Sequence, residues 1–96
     1  MSNSNSVQEL NIANENMKNI PEHVFNIPGL KHLTITNTKI TTLPESIGQL
    51  KNLETLDLYD NKLKFLPKSF GKLTKLQELY LSDNNLSTLP KTFGKL

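Results

Sequence analysis

The sequence predicts an α/β solenoid with a short parallel β-sheet on its concave face and short helical or 3-10 segments on its convex face. Three observations support this prediction. An apolar residue followed by proline returns every 23 residues, at Ile20, Leu43, Leu66 and Leu89. Within each unit, apolar residues first alternate and later fall three apart. A unit this short buries a core only by stacking on a neighbouring unit.

The first half of each unit predicts a strand. Its apolar residues stand two apart, so alternate side chains point inward and outward. After a turn, one further apolar residue points inward. The inward strand pairs are Leu10 and Ile12, Leu33 and Ile35, Leu56 and Leu58, and Leu79 and Leu81, and the residues after the turn are Met17, Ile40, Leu63 and Leu86.

The second half of each unit predicts one or two helical turns. The proline suits the first turn, where no amide donor is needed. A glycine recurs at Gly48, Gly71 and Gly94, and we expect it there because the chain turns tightly. The apolar pairs that pack inward from this half are Val24 and Ile27, Ile47 and Leu50, Phe70 and Leu73, and Phe93 and Leu96.

The repeat divides the chain into five segments. Residues 1–6 are polar and predict a disordered N-terminus. Coil 1 (7–29) predicts an N-terminal capping repeat, coil 2 (30–52) and coil 3 (53–75) are complete, and coil 4 (76–96) is a truncated last repeat.

One inward position in each coil is polar, and the four coils carry Glu15, Thr38, Asn61 and Asn84 there. An inward Asn satisfies backbone groups of adjacent turns, which would cost about 1–3 kcal/mol each if left unpaired. Thr38 suits this ladder with fewer bonds. An inward carboxylate is expensive, so Glu15 indicates that coil 1 is a cap whose outer edge faces water.

These residues resemble the leucine-rich repeat family, in the 23-residue type whose unit reads LPxxIGxLxxLxxLxLxxNxLxx. Residues 43–88 follow that pattern almost letter for letter, and residues 20–42 and 89–96 follow it well. The resemblance implies a solenoid that binds a partner, usually a protein, through its concave sheet.

Composition disfavours several classes of function. The chain has 96 residues and no cysteine, which excludes disulfides and thiolate metal sites. All eleven basic residues are lysine, and the lack of arginine weighs against nucleic-acid readout. No secretory signal and no apolar run of the roughly 20 residues that span a membrane is present. We therefore expect a cytoplasmic protein without nucleic-acid or membrane partners and without a cofactor.

The outward strand positions of coils 3 and 4 hold what we call the tyrosine–acid patch. Both tyrosines belong to it, and exposed tyrosine is enriched at binding hot spots. An alternative interpretation is that the two rings pack on each other as a cross-strand pair. The patch consists of Tyr59, Tyr80, Asp57, Asp60, Glu78 and Asp83, and His32, Thr34, Thr36 and Thr55 are further candidate partner contacts on the same face.

Charge separates the two faces, because most lysines belong to the helical side. Asp60 and Asp83 share one position in the repeat, so we expect them roughly 5 Å apart on neighbouring coils. A buried cation or a partner lysine or arginine would relieve their repulsion, or both carboxylates are solvated and cap the turn. Lys62, one outward position further along, also softens the repulsion. A calcium site would need about 6–8 oxygens, and no loop here supplies them.

Catalysis finds little support in the sequence. A Thr34–His32–Glu9 arrangement is conceivable, but an open sheet has no pocket that excludes water and no signalled oxyanion donors. We therefore predict that the chain is not an enzyme. The predicted function is a protein-binding module that uses the concave sheet face.

Two alternatives stay open. The chain stops at Leu96 in the middle of a unit, which predicts either a fragment of a longer array or an open end that self-associates. The first alternative function is therefore a self-associating structural module. The second is the substrate-targeting part of a larger enzyme, such as a kinase or a ubiquitin ligase.

Overall fold

The computed structural model describes residues 7–86 of the chain. The predicted disordered N-terminus (1–6) and the second half of coil 4 (89–96) lie outside the described residues. Within residues 7–86, four strands alternate with three 3-10 helices, which we label η. In chain order they are β1 (Glu9–Ala13), η1 (Glu22–Asn26), β2 (His32–Thr36), η2 (Glu45–Gln49), β3 (Thr55–Asp57), η3 (Lys68–Lys72) and β4 (Glu78–Tyr80).

The four strands form one parallel sheet in the order β1-β2-β3-β4. Each residue pairs with the residue 23 positions further along, so Leu10 aligns with Leu33, Leu33 with Leu56, and Leu56 with Leu79. Each 23-residue step therefore advances the chain by one strand, which confirms the predicted solenoid with its parallel sheet and short 3-10 segments.

The core runs through the middle of the stack. In coils 2 and 3 the inward strand residues are at most 1% exposed, whereas Leu10, Ile12, Leu79 and Leu81 of the outer coils are only partly buried. This difference follows from stacking, because a central coil is covered on both sides. Of the predicted helical core residues, Val24, Ile47, Leu50, Phe70 and Leu73 are buried, Ile27 is only partly buried, and Phe93 and Leu96 lie outside the described residues.

Each 3-10 helix spans five residues and follows a proline directly. The prediction placed that proline inside the first turn, but Pro21, Pro44 and Pro67 stand one residue before it. Their ψ angles of 134° to 162° are extended. The proline carbonyl of Pro44 accepts the first bond of η2, from the Ile47 amide at 3.1 Å, so proline initiates the turn from outside it.

Gly48 is explained by close packing rather than by a tight turn. A Cβ atom at this position would lie 2.9 Å from Cβ and 3.1 Å from the carbonyl oxygen of Ser69 on η3. Because such distances are too short for a carbon atom, only glycine allows η2 and η3 to approach this closely. Gly48 has no positive φ, in contrast to Gly29 (φ 77°).

The polar ladder inside the stack is confirmed. Nδ2 of Asn61 donates to the carbonyls of Ile35 (2.7 Å) and Leu58 (2.8 Å). The Thr38 hydroxyl has fewer bonds, as predicted: it donates to Asn61 and accepts from the Ile40 amide at 3.3 Å. Glu15 is exposed, so the carboxylate avoids the interior.

Asn84 continues the ladder in coil 4. Its Nδ2 donates to the carbonyls of Leu58 (2.8 Å) and Leu81 (3.1 Å), and its Oδ1 accepts from the Leu63 amide at 3.0 Å. Consecutive coils are thus joined by side-chain bonds as well as by the sheet. Across residues 7–86, no helix has the length and apolarity needed to cross a membrane.

Candidate functional site

The outward face of the sheet presents its side chains in four rows. Because the strands are parallel and in register, equivalent strand residues of the four coils stand side by side. Backbone hydrogen bonds from the Asn37 amide to the Tyr59 carbonyl and from the Asp60 amide to the Ser82 carbonyl continue this alignment past the ends of β3 and β4. Row 1 is Glu9, His32, Thr55 and Glu78; row 2 is Asn11, Thr34, Asp57 and Tyr80; row 3 is Ala13, Thr36, Tyr59 and Ser82; and row 4, just after the strands, is Asn14, Asn37, Asp60 and Asp83. All ten predicted contact residues lie in these rows.

Row 1 places His32 between Glu9 and Thr55 of the adjacent strands. Nδ1 of His32 and Oγ1 of Thr55 are hydrogen-bonded at 2.7 Å, and both side chains are half-buried. The hydroxyl beside the imidazole therefore belongs to Thr55 on the next strand, and not to Thr34. This bond was not predicted, since sequence spacing does not reveal which of several nearby hydroxyls the ring reaches.

Row 4 has an unusual backbone. Asn14, Asn37, Asp60 and Asp83 all adopt left-handed conformations, with φ between 55° and 62°. Asn and Asp tolerate this region better than other non-glycine residues. The backbone therefore selects a short polar side chain in row 4, and it accounts for the recurrence of Asp60 and Asp83 without reference to a partner.

The two halves of row 4 differ in their side-chain chemistry. In coils 1 and 2, Nδ2 of Asn37 donates to Oδ1 of Asn14 at 2.7 Å. In coils 3 and 4 the same positions are Asp60 and Asp83, which offer only acceptor oxygens when ionised. The carboxylates of this half of the row therefore cannot satisfy one another as the amides do.

The tyrosine hydroxyls bind carboxylates of the tyrosine–acid patch. The Tyr80 hydroxyl donates to Oε1 of Glu78 at 2.8 Å. The Tyr59 hydroxyl is hydrogen-bonded to the Asp83 carboxylate. Glu78 lies in row 1 and Asp83 in row 4, so the two phenol groups reach in opposite directions along the strands. Each tyrosine hydroxyl thus has a carboxylate partner. The alternative interpretation, in which the two rings pack on each other as a cross-strand pair, did not include these bonds.

These hydrogen bonds raise the pKa of both tyrosines. The pKa of Tyr59 is raised above 10, first by the hydrogen bond to Asp83 and then by the charge of that carboxylate, by desolvation and by the charge of Asp60. For Tyr80, the hydrogen bond to Glu78 comes first among the causes that raise the pKa, followed by the charge of Glu78, desolvation and the charge of Asp57. Both pKa shifts favour the neutral phenol, which donates to the neighbouring carboxylate.

The rings themselves remain accessible. Tyr59 is 47% exposed and Tyr80 is 51% exposed, and both stand among acidic side chains. Asp57 accepts a hydrogen bond from the Tyr59 backbone amide at 3.0 Å, so it fixes the chain next to the ring. The patch therefore combines two exposed aromatic surfaces with four carboxylates on adjacent coils, two of them in the strands (Asp57 and Glu78) and two just after the strands (Asp60 and Asp83).

Two surface features outside the rows were not predicted. Phe65 is 53% exposed on the segment that leads from β3 to η3. A cavity of about 120 Å³ between coils 1 and 2 is lined by Asn19, Ile20, Glu22, Thr42 and Pro44. Within residues 7–86, no three histidine, aspartate or glutamate side chains are grouped so that they could hold a metal ion.

Comparison with known proteins gives one family. The family described as leucine-rich repeat region matches residues 5–96 of the chain. A search of the curated proteins finds no match.

Three solved structures illustrate the similarity. A leucine-rich repeat protein of Leptospira interrogans is 39% identical with a TM-score of 0.89, over 93% of this chain and 23% of that chain. The plant peptide hormone receptor RGFR1 in complex with RGF2 is 31% identical with a TM-score of 0.80, over 96% and 15%. The BIR3–SERK2 complex from Arabidopsis thaliana is 31% identical with a TM-score of 0.75, over 91% and 49%. The chain thus spans less than half of each of these structures.

Proposed function

Because this chain belongs to the leucine-rich repeat family, we propose that it is a non-catalytic protein-binding module whose contact surface is the outward face of the sheet. Leucine-rich repeats commonly serve protein recognition, and two of the similar structures are complexes, one of RGFR1 with RGF2 and one of BIR3 with SERK2. The observation that carries the proposal is the exposure of both tyrosines in rows that four strands hold in register.

The rigidity of the rows supports this proposal. The strands are paired with their neighbours, and side-chain bonds of Asn61 and Asn84 join coils 2 and 3 and coils 3 and 4, so the outward side chains rest on an ordered base. A preorganised surface loses little conformational entropy on binding. The proposed contact residues are the tyrosine–acid patch together with His32, Thr34, Thr36 and Thr55.

The same geometry favours binding over catalysis. His32 and Thr55 are bonded to each other on an open sheet, and the described cavity at Asn19 and Pro44 contains neither of them. A catalytic imidazole needs a site that positions a substrate and excludes water. A cytoplasmic location and membership in a larger targeting enzyme stay predictions from the sequence.

Site-specific photocrosslinking tests the proposal. A photoreactive residue at position 34 would stand on the sheet face, and the same residue at the exposed position of Gln49 on η2 is the matched control. In extract of the producing cell, we expect a discrete crosslinked protein from position 34 and a much weaker one from position 49. A discrete product from position 49 alone, or from neither position, would contradict the proposal.

Self-association is the second candidate. It is favoured by Leu79, Leu81 and Leu86 of coil 4, which are only partly buried, whereas their coil 3 counterparts are 0% exposed. Light scattering over a concentration series tests this candidate. A mass that rises with concentration supports it, and a constant monomer mass leaves the sheet face as the contact surface.

A further inference from the structure

We propose that the partner presents lysine or arginine side chains from an extended segment to the tyrosine–acid patch. This inference rests on the proposed function and adds the chemistry of the occupant. The partner is a basic segment of a protein, and it is favoured by the charge, the hydrogen bonding and the spacing of the patch.

Most of the negative charge in the four rows lies in coils 3 and 4. The rows of coils 3 and 4 contain Asp57, Asp60, Glu78 and Asp83, and none of their other members is basic; one exposed lysine, Lys62, follows Asp60 by two residues, which leaves the carboxylates in excess. The corresponding rows of coils 1 and 2 contain Glu9 as their only acid. Negative charge is therefore concentrated at the two tyrosines, and a positive partner complements it.

Hydrogen bonding is the second argument. Nδ2 of Asn37 donates a hydrogen bond to Oδ1 of Asn14 at 2.7 Å, whereas the ionised carboxylates of Asp60 and Asp83 at the equivalent positions only accept. Ammonium and guanidinium groups supply donors and positive charge together. A lysine or arginine at this end of the patch would add donors and positive charge beyond the one hydrogen bond that Asp83 accepts from the Tyr59 hydroxyl.

The tyrosine rings are the third argument. Each hydroxyl is already engaged by a carboxylate, Tyr80 by Glu78 at 2.8 Å and Tyr59 by Asp83. The exposed ring faces are then left for other contacts, and an aromatic face attracts a cation. The apolar stem of lysine or arginine can lie on a ring while its charged head reaches a carboxylate.

The spacing suits an extended segment. Tyr80 ends β4 and is in register with Asp57, and Tyr59 follows Asp57 by two residues, just past the end of β3. The two tyrosines are therefore diagonal to each other on adjacent coils, a separation of about 7–8 Å between such positions. In an extended chain, residues two apart are about 6.6 Å apart and point to the same side. We therefore expect basic residues at alternate positions of the bound segment, one for each ring.

Peptide binding tests this inference. The probes are fluorescein-labelled nine-residue peptides in which serine alternates with arginine, glutamate or glutamine, measured by fluorescence anisotropy. We expect the arginine peptide to bind at least about tenfold more tightly than the other two, and its affinity to fall between about 50 and 300 mM NaCl as charge is screened. Equal affinity for the three peptides, or no arginine-peptide binding at 1 mM (roughly the weak limit of specific recognition), would overturn it.

Variants locate the binding. The triple variant Asp57→Asn, Asp60→Asn and Asp83→Asn keeps residues that tolerate the backbone of row 4 and should weaken arginine-peptide binding about five- to tenfold. The control Glu15→Gln, Glu22→Gln and Glu54→Gln makes the same change in net charge outside the rows and should leave binding within about twofold. Equal weakening by both would show non-specific attraction and overturn the inference.

A second pair of variants isolates the rings. Replacing both tyrosines by phenylalanine should retain most of the affinity, whereas replacing both by leucine should cost about two- to fivefold, because only the aromatic face attracts the cation. Equal affinities of the two variants would show that the aromatic faces do not contribute to binding of the basic segment. If the glutamate or glutamine peptide binds instead and position 34 still crosslinks a protein, the basic partner fails while the proposed function stands. If position 34 crosslinks nothing, the proposed function fails.

Discussion

The side-chain oxygen of Asn61 accepts two hydrogen bonds from Thr38 of the preceding coil, from its backbone amide at 3.0 Å and from its hydroxyl at 2.6 Å. Its amide nitrogen meanwhile donates to two carbonyls, of Ile35 and Leu58. One buried side chain thus satisfies groups of both coils 2 and 3. The interior of the stack is held by this polar junction as well as by apolar packing.

Asn61→Ala removes all of these bonds at once. It leaves a buried amide and two carbonyls without that partner, and each unsatisfied buried group costs about 1–3 kcal/mol. We expect the free energy of unfolding to fall by about 3 kcal/mol or more, measured by urea denaturation. The control Asn16→Ala, at an exposed position, should change it by less than about 0.5 kcal/mol. If both variants lost a similar free energy of unfolding, the hydrogen bonds of Asn61 would not be what stabilises the stack.

The left-handed backbone at Asp60 leads to a second prediction. Asp60→Val places a β-branched residue at a φ of 62°, a region that costs most L-residues about 1–2 kcal/mol. Asp60→Asn retains a tolerated side chain, so its free energy of unfolding should stay within about 0.5 kcal/mol of the original. Thermal or urea unfolding of both variants measures the difference. A valine variant as stable as the asparagine variant would contradict the backbone explanation of row 4.

Row 4 also shows where inference from the sequence stops. The strands, the apolar column and the Asn61 ladder were predictable, because a repeat forces equivalent residues into equivalent surroundings. The sequence interpretation gave Asp60 and Asp83 either a charge that attracts a partner or a role in capping the turn, and Asn14 and Asn37 at the same position were a signal for the second, a requirement of the backbone. The signal is recognised only when the residues of all four coils are compared for the backbone conformation that they tolerate, and not only for their charge.

Other features depend on distances that no spacing encodes. The partner of His32 was decided by side-chain geometry across two strands, which placed Thr55 and not Thr34 beside the ring. The role of Gly48 was decided by how closely η3 approaches η2. A recurring glycine predicts a special backbone or a close contact equally well, and only the structure separates the two.

Gly48→Ala tests the close contact between the helices. The added methyl group would meet Ser69 at 2.9 Å, so η2 and η3 must separate, and overpacking of this kind costs about 1–3 kcal/mol. We expect a fall of that size in the free energy of unfolding by urea titration. The control Gln49→Ala changes the exposed neighbour on the same helix and should be nearly neutral. An alanine at position 48 that stabilises the fold would show that the helices are free to move apart.

The raised pKa values of the two tyrosines predict that the free energy of unfolding depends on pH above about 10. Their pKa values are raised in the folded chain by the carboxylates of Asp83 and Glu78. A group whose pKa is higher when folded contributes stability that is complete below its unfolded pKa, near 10. That contribution is lost as the pH rises through the folded pKa, so the fold should weaken in strong alkali.

Absorbance at about 295 nm follows this titration, because tyrosinate formation is visible there and the chain has two tyrosines and no tryptophan. Tyr80→Phe leaves Tyr59 alone, and we expect its apparent pKa to lie above 10 in the folded chain. Adding Asp83→Asn removes the carboxylate that accepts from Tyr59 and should lower the apparent pKa toward 10. Adding Glu9→Gln instead, at the far edge of the sheet, should leave it unchanged. An apparent pKa that responds equally to both substitutions would mean that the overall charge, and not the bond between Tyr59 and Asp83, holds the phenol neutral.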